Sequence, residues 1–346
     1  MTADGTPLLE VRDLRIGFRT PAGLVRAVDG VSFTVEPGSV VGLVGESGCG
    51  KSVTAHALMG LHRRSRGTEC SGSVTFRGRD LLTVPERELR EVRGKEIAMI
   101  FQDPMTCLNP VRRVGTQIAE TLQLHTDLSK EATRRRCLDL LGEVGIPNPA
   151  ARIDDYPHQF SGGMRQRVMI AMALACDPRI LIADEPTTAL DVTIQAQIVD
   201  LLDRLRQVHG SAIILITHDL GVVSDVADEI LVMYAGRLVE QSAKRDLFAD
   251  PLHPYTWGLL ASIPRVDRDR PRRLPSIEGA PPSLIEVPPG CAFRPRCRHA
   301  FDACTEEPSL EARAGGSTHL DRCWLTVDEK RRHQPSREAV APGVPT

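Results

Sequence analysis

One stretch, Gly45-Glu46-Ser47-Gly48-Cys49-Gly50-Lys51-Ser52, constrains what this chain can fold into more than any other. It matches the G-x-x-x-x-G-K-[ST] phosphate-loop pattern. It directly follows Ser39-Val40-Val41-Gly42-Leu43-Val44, a short apolar run with β-branched residues that reads as a buried strand. Strand, glycine-rich turn and helix must therefore succeed one another. Gly45, Gly48 and Gly50 allow the turn to bring its N–H groups against phosphates without Cβ clashes. The helix opening at Lys51-Ser52 points its positive dipole end at the same anion. In such a loop Lys51 reaches the β- and γ-phosphates and Ser52 holds Mg²⁺.

A second stretch turns this from a general nucleotide signal into a specific one. Ser161-Gly162-Gly163-Met164-Arg165-Gln166 precedes an apolar run, Ile180-Leu181-Ile182-Ala183, that ends in Asp184-Glu185. A glycine-led helix start of this kind can cap the phosphates of a nucleotide held by a second subunit. The two stretches together imply ATP bound and hydrolysed between two such domains.

Polar residues at the ends of apolar runs supply the remaining chemistry. Asp184 closes a strand where a carboxylate reaches Mg²⁺ directly or through water. Glu185, pointing the other way, is placed to orient and partly deprotonate the attacking water. Gln102 follows the strand Ile97 to Phe101 and is expected to sense Mg²⁺ and water. His218 ends the strand Ile213 to Thr217 and is expected at the γ-phosphate. Any one of these alone would read as a satisfied polar residue at a strand end.

The chain between and around these motifs reads as an α/β protein. Residues 8 to about 100 are mainly β, with alternation in Leu8 to Ile16 and again in Val31 to Val35. Gln117 to Leu124 and Lys130 to Gly142 show helical spacing, and a helix after Ser161 should stop at Asp177-Pro178. Ile180–Ala183 and Ala212–Thr217 are continuously apolar, as buried parallel strands are, and helix 192–208 is the crossover between them. No internal repeat is visible, so one nucleotide-binding unit is expected. At 346 residues there is room for about two domains. A net charge of −2 argues against a nucleic-acid surface. The first seven residues have neither the basic nor the apolar region of a signal peptide, and no apolar run approaches membrane-spanning length.

These motifs resemble the ATP-binding subunit of an ABC transporter, over nearly the whole chain. The resemblance makes Gly45–Ser52 the Walker A element, Gln102 the Q-loop, Ser161–Gln166 the signature and Asp184-Glu185 the Walker B pair. It makes Ala189-Leu190-Asp191 the D-loop and His218 the switch histidine, with Phe18 where the family stacks an aromatic on adenine. The signature departs from Leu-Ser-Gly-Gly-Gln at Phe160 and Met164. Phe-Ser-Gly-Gly-Met-Arg-Gln-Arg resembles the dipeptide and oligopeptide importers. So do Phe101 to Thr106, Leu108-Asn109-Pro110 and Pro251-Leu252-His253-Pro254-Tyr255-Thr256. Nickel importers share much of this pattern. Soluble ABC ATPases of repair or translation fit worse, because the chain has no long coiled coil between Lys51 and Asp184 and only one phosphate loop.

The resemblance implies an ABC-type P-loop NTPase: a β-rich N-terminal part, a parallel RecA-like core, a helical signature subdomain at about 104–176 and a small cysteine-bearing C-terminal extension. The ATP-binding domain would span 8–264, the extension 265–330 and a disordered tail 331–346. It also implies a second, homologous ATP-binding subunit forming a heterodimer, and two transmembrane permeases that dock on the helical subdomain. An extracytoplasmic binding protein acts indirectly, and the site of action is the cytoplasmic face of the membrane.

The extension begins in a run of mixed charge, Arg265 to Arg273, followed by prolines including Pro275, Pro281, Pro282, Pro288 and Pro289, which reads as an extended wrap. Cys291, Cys297, Cys304 and Cys323, spaced C-x5-C-x6-C-x18-C, crowd into it. Zinc usually takes paired ligands closer in sequence, and a reducing cytosol disfavours disulfides. A 4Fe–4S cluster tolerates wider spacing, and the resemblance favours one over zinc or no metal. Arg294, Arg296, Arg298 and His299 would offset the charge of a thiolate cluster.

Overall fold

The computed structural model describes residues 6–63, 66–188, 190–263, 277–312 and 318–334. The chain passes between two compact units. One comprises residues up to Leu8, Val35–Val40 and Thr83–Ile216, and the other comprises Leu9–Thr34, Val41–Leu82 and Thr217 onward.

The first unit is built on three parallel strands. Ile180–Asp184 lies between Ile97–Ile100 and Ala212–Thr217, and every residue of all three is buried. Burial on both faces explains why these runs are uninterrupted rather than alternating. The crossover helix Val192–His209 begins at Asp191, whose carboxylate accepts from the Ile194 N–H, and ends at Gly210 in the left-handed region. Three further helices, Val114–His125, Lys130–Glu143 and Gly162–Ala173, pack on one another. Ser129 and Ser161 cap the latter two through their hydroxyls. Helix Gly162–Ala173 gives way to a turn slightly before the expected stop, since Asp177 takes a left-handed φ of 51° ahead of Pro178.

The second unit carries an antiparallel sheet in which Leu9–Thr20 lies between Gly23–Val35 and Thr68–Phe76, with the short Arg79–Asp80 at the far edge. It also carries the strand Val40–Val44, parallel to Glu229–Tyr234, which pairs antiparallel with Arg237–Ala243. The C-terminal extension continues this ladder: Leu320–Asp321 adds to Arg237–Ala243, and Glu311–Ala312 adds to Leu320–Asp321. Residues 277–290 contain no helix or strand, as the prolines require. The mixed-charge run Arg265–Arg273 and Pro275 lie outside the described residues.

The expectation of disorder from residue 331 is corrected in part. A helix, Val327–His333, runs through that boundary. Thr326 and Glu329 form a reciprocal capping box, and Lys330, fully buried, donates to Asp321 at 2.5 Å. Residues 335–346 lie outside the described residues. No described helix is long and apolar enough to cross a membrane.

Candidate functional site

The phosphate loop is shaped by what surrounds it in the second unit. A Cβ on Gly45 (φ 157°) would sit 2.2 Å from the Met233 carbonyl oxygen. One on Gly50 (φ 111°) would sit 2.1 Å from that of Ala27. Both positions are therefore closed to any other residue. Gly48 (φ 77°) has open space around it, so backbone conformation alone calls for glycine there. Cys49 is buried, and its carbonyl accepts from the Gly236 N–H at 2.8 Å. The helix Lys51–Leu58 opens here, with Gly50 at its cap and Ser52 half-buried in its first turn. Lys51, 4% exposed, donates from Nζ to the carbonyls of Gly45 (2.8 Å) and Glu46 (3.1 Å), folding the ammonium into the loop. Phe18 is half-buried and meets His62 edge-on at 5.2 Å, and His218 is exposed.

The carboxylates are held in the first unit. Asp184, the last residue of its strand, is buried. Glu185 follows with a left-handed φ of 46°, its N–H bonded to the Ile216 carbonyl at 2.9 Å. A non-glycine residue in this conformation costs about 1–3 kcal/mol, which the paired strands on either side must hold in place. The turn re-aims the Glu185 side chain away from the strand direction. Its Oε2 accepts from Gln102 Nε2 and from Thr188 Oγ1, both at 2.9 Å. Gln102 and Glu185, expected at one site from the sequence, thus touch. Thr188 was not expected; the only signal for it is its position three residues beyond Glu185.

The glycine-led helix start has a different character. Ser161 and Gly162 are exposed, and the Ser161 hydroxyl accepts from the Met164 N–H at 3.3 Å. The nearest neighbour of a Cβ on Gly162 would be Leu190, 3.9 Å away, and on Gly163 it would be Ile194, at 3.2 Å. Asp191, exposed, caps the next helix. Ala189, the first D-loop residue, lies outside the described residues.

Comparison with known proteins decides the family. A family model described as "ABC transporter" matches residues 28–188, and one described as "Oligopeptide/dipeptide transporter, C-terminal region" matches 239–304. The oligopeptide transport ATP-binding protein OppD of Salmonella typhimurium is 53% identical over 93% of this chain and 95% of its own. The chain belongs to the ABC transporter family of ATP-binding proteins. The dipeptide transport ATP-binding protein DppD of Bacillus subtilis is 49% identical, over 94% of this chain and 96% of its own. Among solved structures, a dimeric ATP-binding cassette in a post-hydrolysis state, bound to ADP and Pi, superposes with a TM-score of 0.61 at 26% identity. It covers 68% of this chain and 99% of that one. This ABC ATPase therefore has the α/β fold its motifs implied, and it is an ATPase coupled to transport.

The Pro251–Thr256 stretch that carried part of the resemblance gains a physical reason. Glu240, fully buried, accepts from the N–H groups of Leu252 (2.7 Å) and His253 (3.0 Å), from the Thr256 hydroxyl (2.5 Å), and shares a hydrogen with His319 Nε2 (2.7 Å). These bonds hold its carboxyl below the usual carboxylate range against the opposing effect of burial. His253 Nδ1 caps the helix Pro254–Ala261 by accepting from the Tyr255 N–H, and Trp257 donates to the Pro251 carbonyl. The Tyr255 hydroxyl in turn accepts from the Glu46 N–H at 2.8 Å, so this stretch reaches the phosphate loop. No spacing rule in the sequence points to that contact.

In the extension, Cys291, Cys297, Cys304 and Cys323 line one small pocket together with Phe293, Trp324 and Leu325. All nine cysteines are free thiols. Burial raises the thiols of Cys291, Cys297 (to about 11) and Cys323 (to about 12). Among the described residues, no three His, Cys, Asp or Glu side chains are arranged to hold a metal ion. As a donor set the four sulfurs suit iron or zinc, and they share one cavity. Ligation would require them to close further and lose their protons. Of the four basic residues expected to offset thiolate charge, Arg294 and His299 line the same pocket, whereas Arg296 bonds Glu46 and Arg298 bonds Glu278.

Proposed function

We propose that this chain is the ATP-hydrolysing subunit of an importer for dipeptides or oligopeptides, acting at the cytoplasmic face of a membrane. Near-full-length similarity to proteins named for oligopeptide and dipeptide transport supports the substrate class. The match of residues 239–304 to a region described for those transporters is the observation that carries it. A nickel or other small-solute importer is the alternative reading.

In this reading the loop Gly45–Ser52 cradles the phosphates through its N–H groups, and Lys51 turns from its carbonyl partners to the β- and γ-phosphates. Phe18 stacks on the adenine. Glu185 is the general base, and Gln102 and Thr188 hold one of its carboxylate oxygens in place. His218 contacts the γ-phosphate. Ser52, Asp184 and Gln102 are the residues that would hold Mg²⁺, which supplies charge neutralisation on the phosphates. Ser161, Gly162 and Gly163 meet the nucleotide of a second, homologous subunit, with Asp191 at the same interface. ATP joins the two subunits and hydrolysis parts them. Each helix-dipole contact is worth only about 0.3–1 kcal/mol, so closure rests on many phosphate contacts acting together. Two permease subunits complete the assembly, with an extracytoplasmic binding protein delivering substrate to them.

ATP-driven uptake of labelled di- and oligopeptides into vesicles carrying the full complex is the decisive measurement. Uptake of nickel with no peptide uptake would overturn the substrate assignment. A 4Fe–4S cluster on Cys291, Cys297, Cys304 and Cys323 belongs to the same reading and would fasten the extension, whose buried apolar cluster around Trp257, Cys323 and Leu325 is small. Protein prepared without oxygen should be brown and contain iron. Colourless protein with stoichiometric zinc, or with neither metal, would remove the cluster.

A further inference from the structure

Glu46 places a carboxylate on a loop whose purpose is to hold anions. Left unpaired, that charge would repel phosphates at close range, where charge interactions are strongest. It is not left unpaired. Arg296, from the C-terminal extension 250 positions along the chain, donates Nη1 to Glu46 Oε2 at 2.6 Å and Nη2 to Oε1 at 3.0 Å. This is the two-pronged geometry that Arg makes and Lys cannot.

The guanidinium is built in on every other side. Its Nε donates to the Glu278 carbonyl (3.0 Å) and its Nη2 to that of Ile277 (3.2 Å). It lies 5.8 Å from the ring centre of Tyr234 and 6.0 Å from that of Phe293. The Arg296 side chain is 4% exposed, whereas Glu46 is 27% exposed. The bonds to Glu46 push the guanidinium pKa further up. The Tyr255 hydroxyl holds the Glu46 backbone from the same unit. Both groups of Glu46 are thus anchored by residues that lie C-terminal to every motif of the nucleotide site.

We propose that Arg296 is a positioning residue for the phosphate loop, neutralising Glu46 and turning its carboxylate away from the bound phosphates, so that the C-terminal extension sets nucleotide affinity. This rests on the phosphate-loop reading of Gly45–Ser52.

The test uses the full-length chain with a fluorescent ATP analogue, and the assembled transporter for turnover. Arg296→Gln should weaken nucleotide binding about tenfold, the scale of one charge-assisted bond. KM for ATP should rise with kcat within about twofold. Arg296→Lys, which keeps the charge, should recover most of the affinity. Glu46→Gln added to Arg296→Gln should also recover it, since no unpaired carboxylate then faces the phosphates. A strut that merely stabilises the fold would not be rescued by removing its partner. The proposal is overturned if Arg296→Gln binds within twofold of the unmodified chain, or if the double variant binds as weakly as the single one. It is equally overturned if Arg296→Gln unfolds while the double variant folds and binds normally, because Arg296 would then serve stability alone. Lys51→Ala separates the two readings: if it keeps full nucleotide affinity, the phosphate-loop assignment itself fails, whatever Arg296 does.

Discussion

In the proposed function two glycine-led turns carry the phosphate chemistry, and they are glycine-rich for different reasons. In the phosphate loop, Gly45 and Gly50 have no room for a Cβ, because the carbonyls of Met233 and Ala27 stand where it would go. The fold itself demands glycine there, and Lys51, Tyr255 and Arg296 brace the loop from within its own unit. At the Ser161 helix start the situation is reversed. Gly162 is exposed, has an ordinary helical position, and a Cβ on it would touch nothing closer than 3.9 Å. Among the described residues, none stands close enough to require glycine at that position. In the proposed function the nucleotide of a partner subunit approaches closely at this position. One turn is shaped by its own fold and the other, in the proposed function, by what it meets.

The largest expected effect falls on Glu185, which belongs to neither turn and must act whichever one fails. Glu185→Gln should keep ATP binding and lower turnover by roughly 10²–10⁴, the range for a positioned general base. Steady-state ATPase of the reconstituted complex, with the partner's own site disabled, checks it. Turnover within a few-fold of normal would end the assignment.

The glycine contrast is sharpened by a pair of substitutions. Gly50→Ala forces a Cβ into the Ala27 carbonyl and a left-handed φ on alanine, and should cost about 3 kcal/mol in urea unfolding. Gly162→Ala should change stability by less than about 0.5 kcal/mol. It should nonetheless abolish ATP turnover in the assembled complex, with nucleotide affinity of the isolated chain intact. Equal stability losses in the two variants would erase the distinction drawn between them.

A smaller effect tests whether the bracing of the phosphate loop is selectively sensitive to acid. His253 is fully buried and its ring accepts the Tyr255 N–H, so burial holds its pKa down to about 4 from 6.5. The charge of Lys330 pushes it in the same direction, while Glu240 and a hydrogen bond with the Arg322 backbone oppose it. A depressed folded-state pKa means that the unfolded chain takes the proton first as pH falls below 6.5. Stability is therefore complete above 6.5 and declines toward pH 4, by about 2 kcal/mol between pH 6.5 and 5 from this residue. His253→Asn keeps a side-chain acceptor for the helix cap and should flatten that part of the stability–pH curve. An unchanged slope would show that His253 is not the group responsible.

Much of the fold could be read from residue order. The uninterrupted apolar runs at Ile180 and Ala212 are buried parallel strands, because a strand covered on both faces has no polar side to alternate with. The helix start at Ser161 was legible, and in the structure Ser129, Ser161 and Asp191 each cap a helix by accepting an N–H that the helix leaves open. The phosphate-loop, Walker B and signature patterns stood out in the sequence because each is made of residues a few positions apart. The bracing of the phosphate loop did not. Glu46 meets Tyr255 across 209 positions and Arg296 across 250, and Glu240 meets His319 across 79. The helix that runs through residues 331–333, where disorder was expected, has a related reason: polar composition suggests solvent, but Lys330 is buried against Asp321, a pairing visible only once strand Leu320–Asp321 has docked. Local order determined which motifs exist and which helices and strands carry them. Tertiary structure alone decided which distant side chains hold those motifs in shape, because burying a charge is favourable only where the fold delivers its partner.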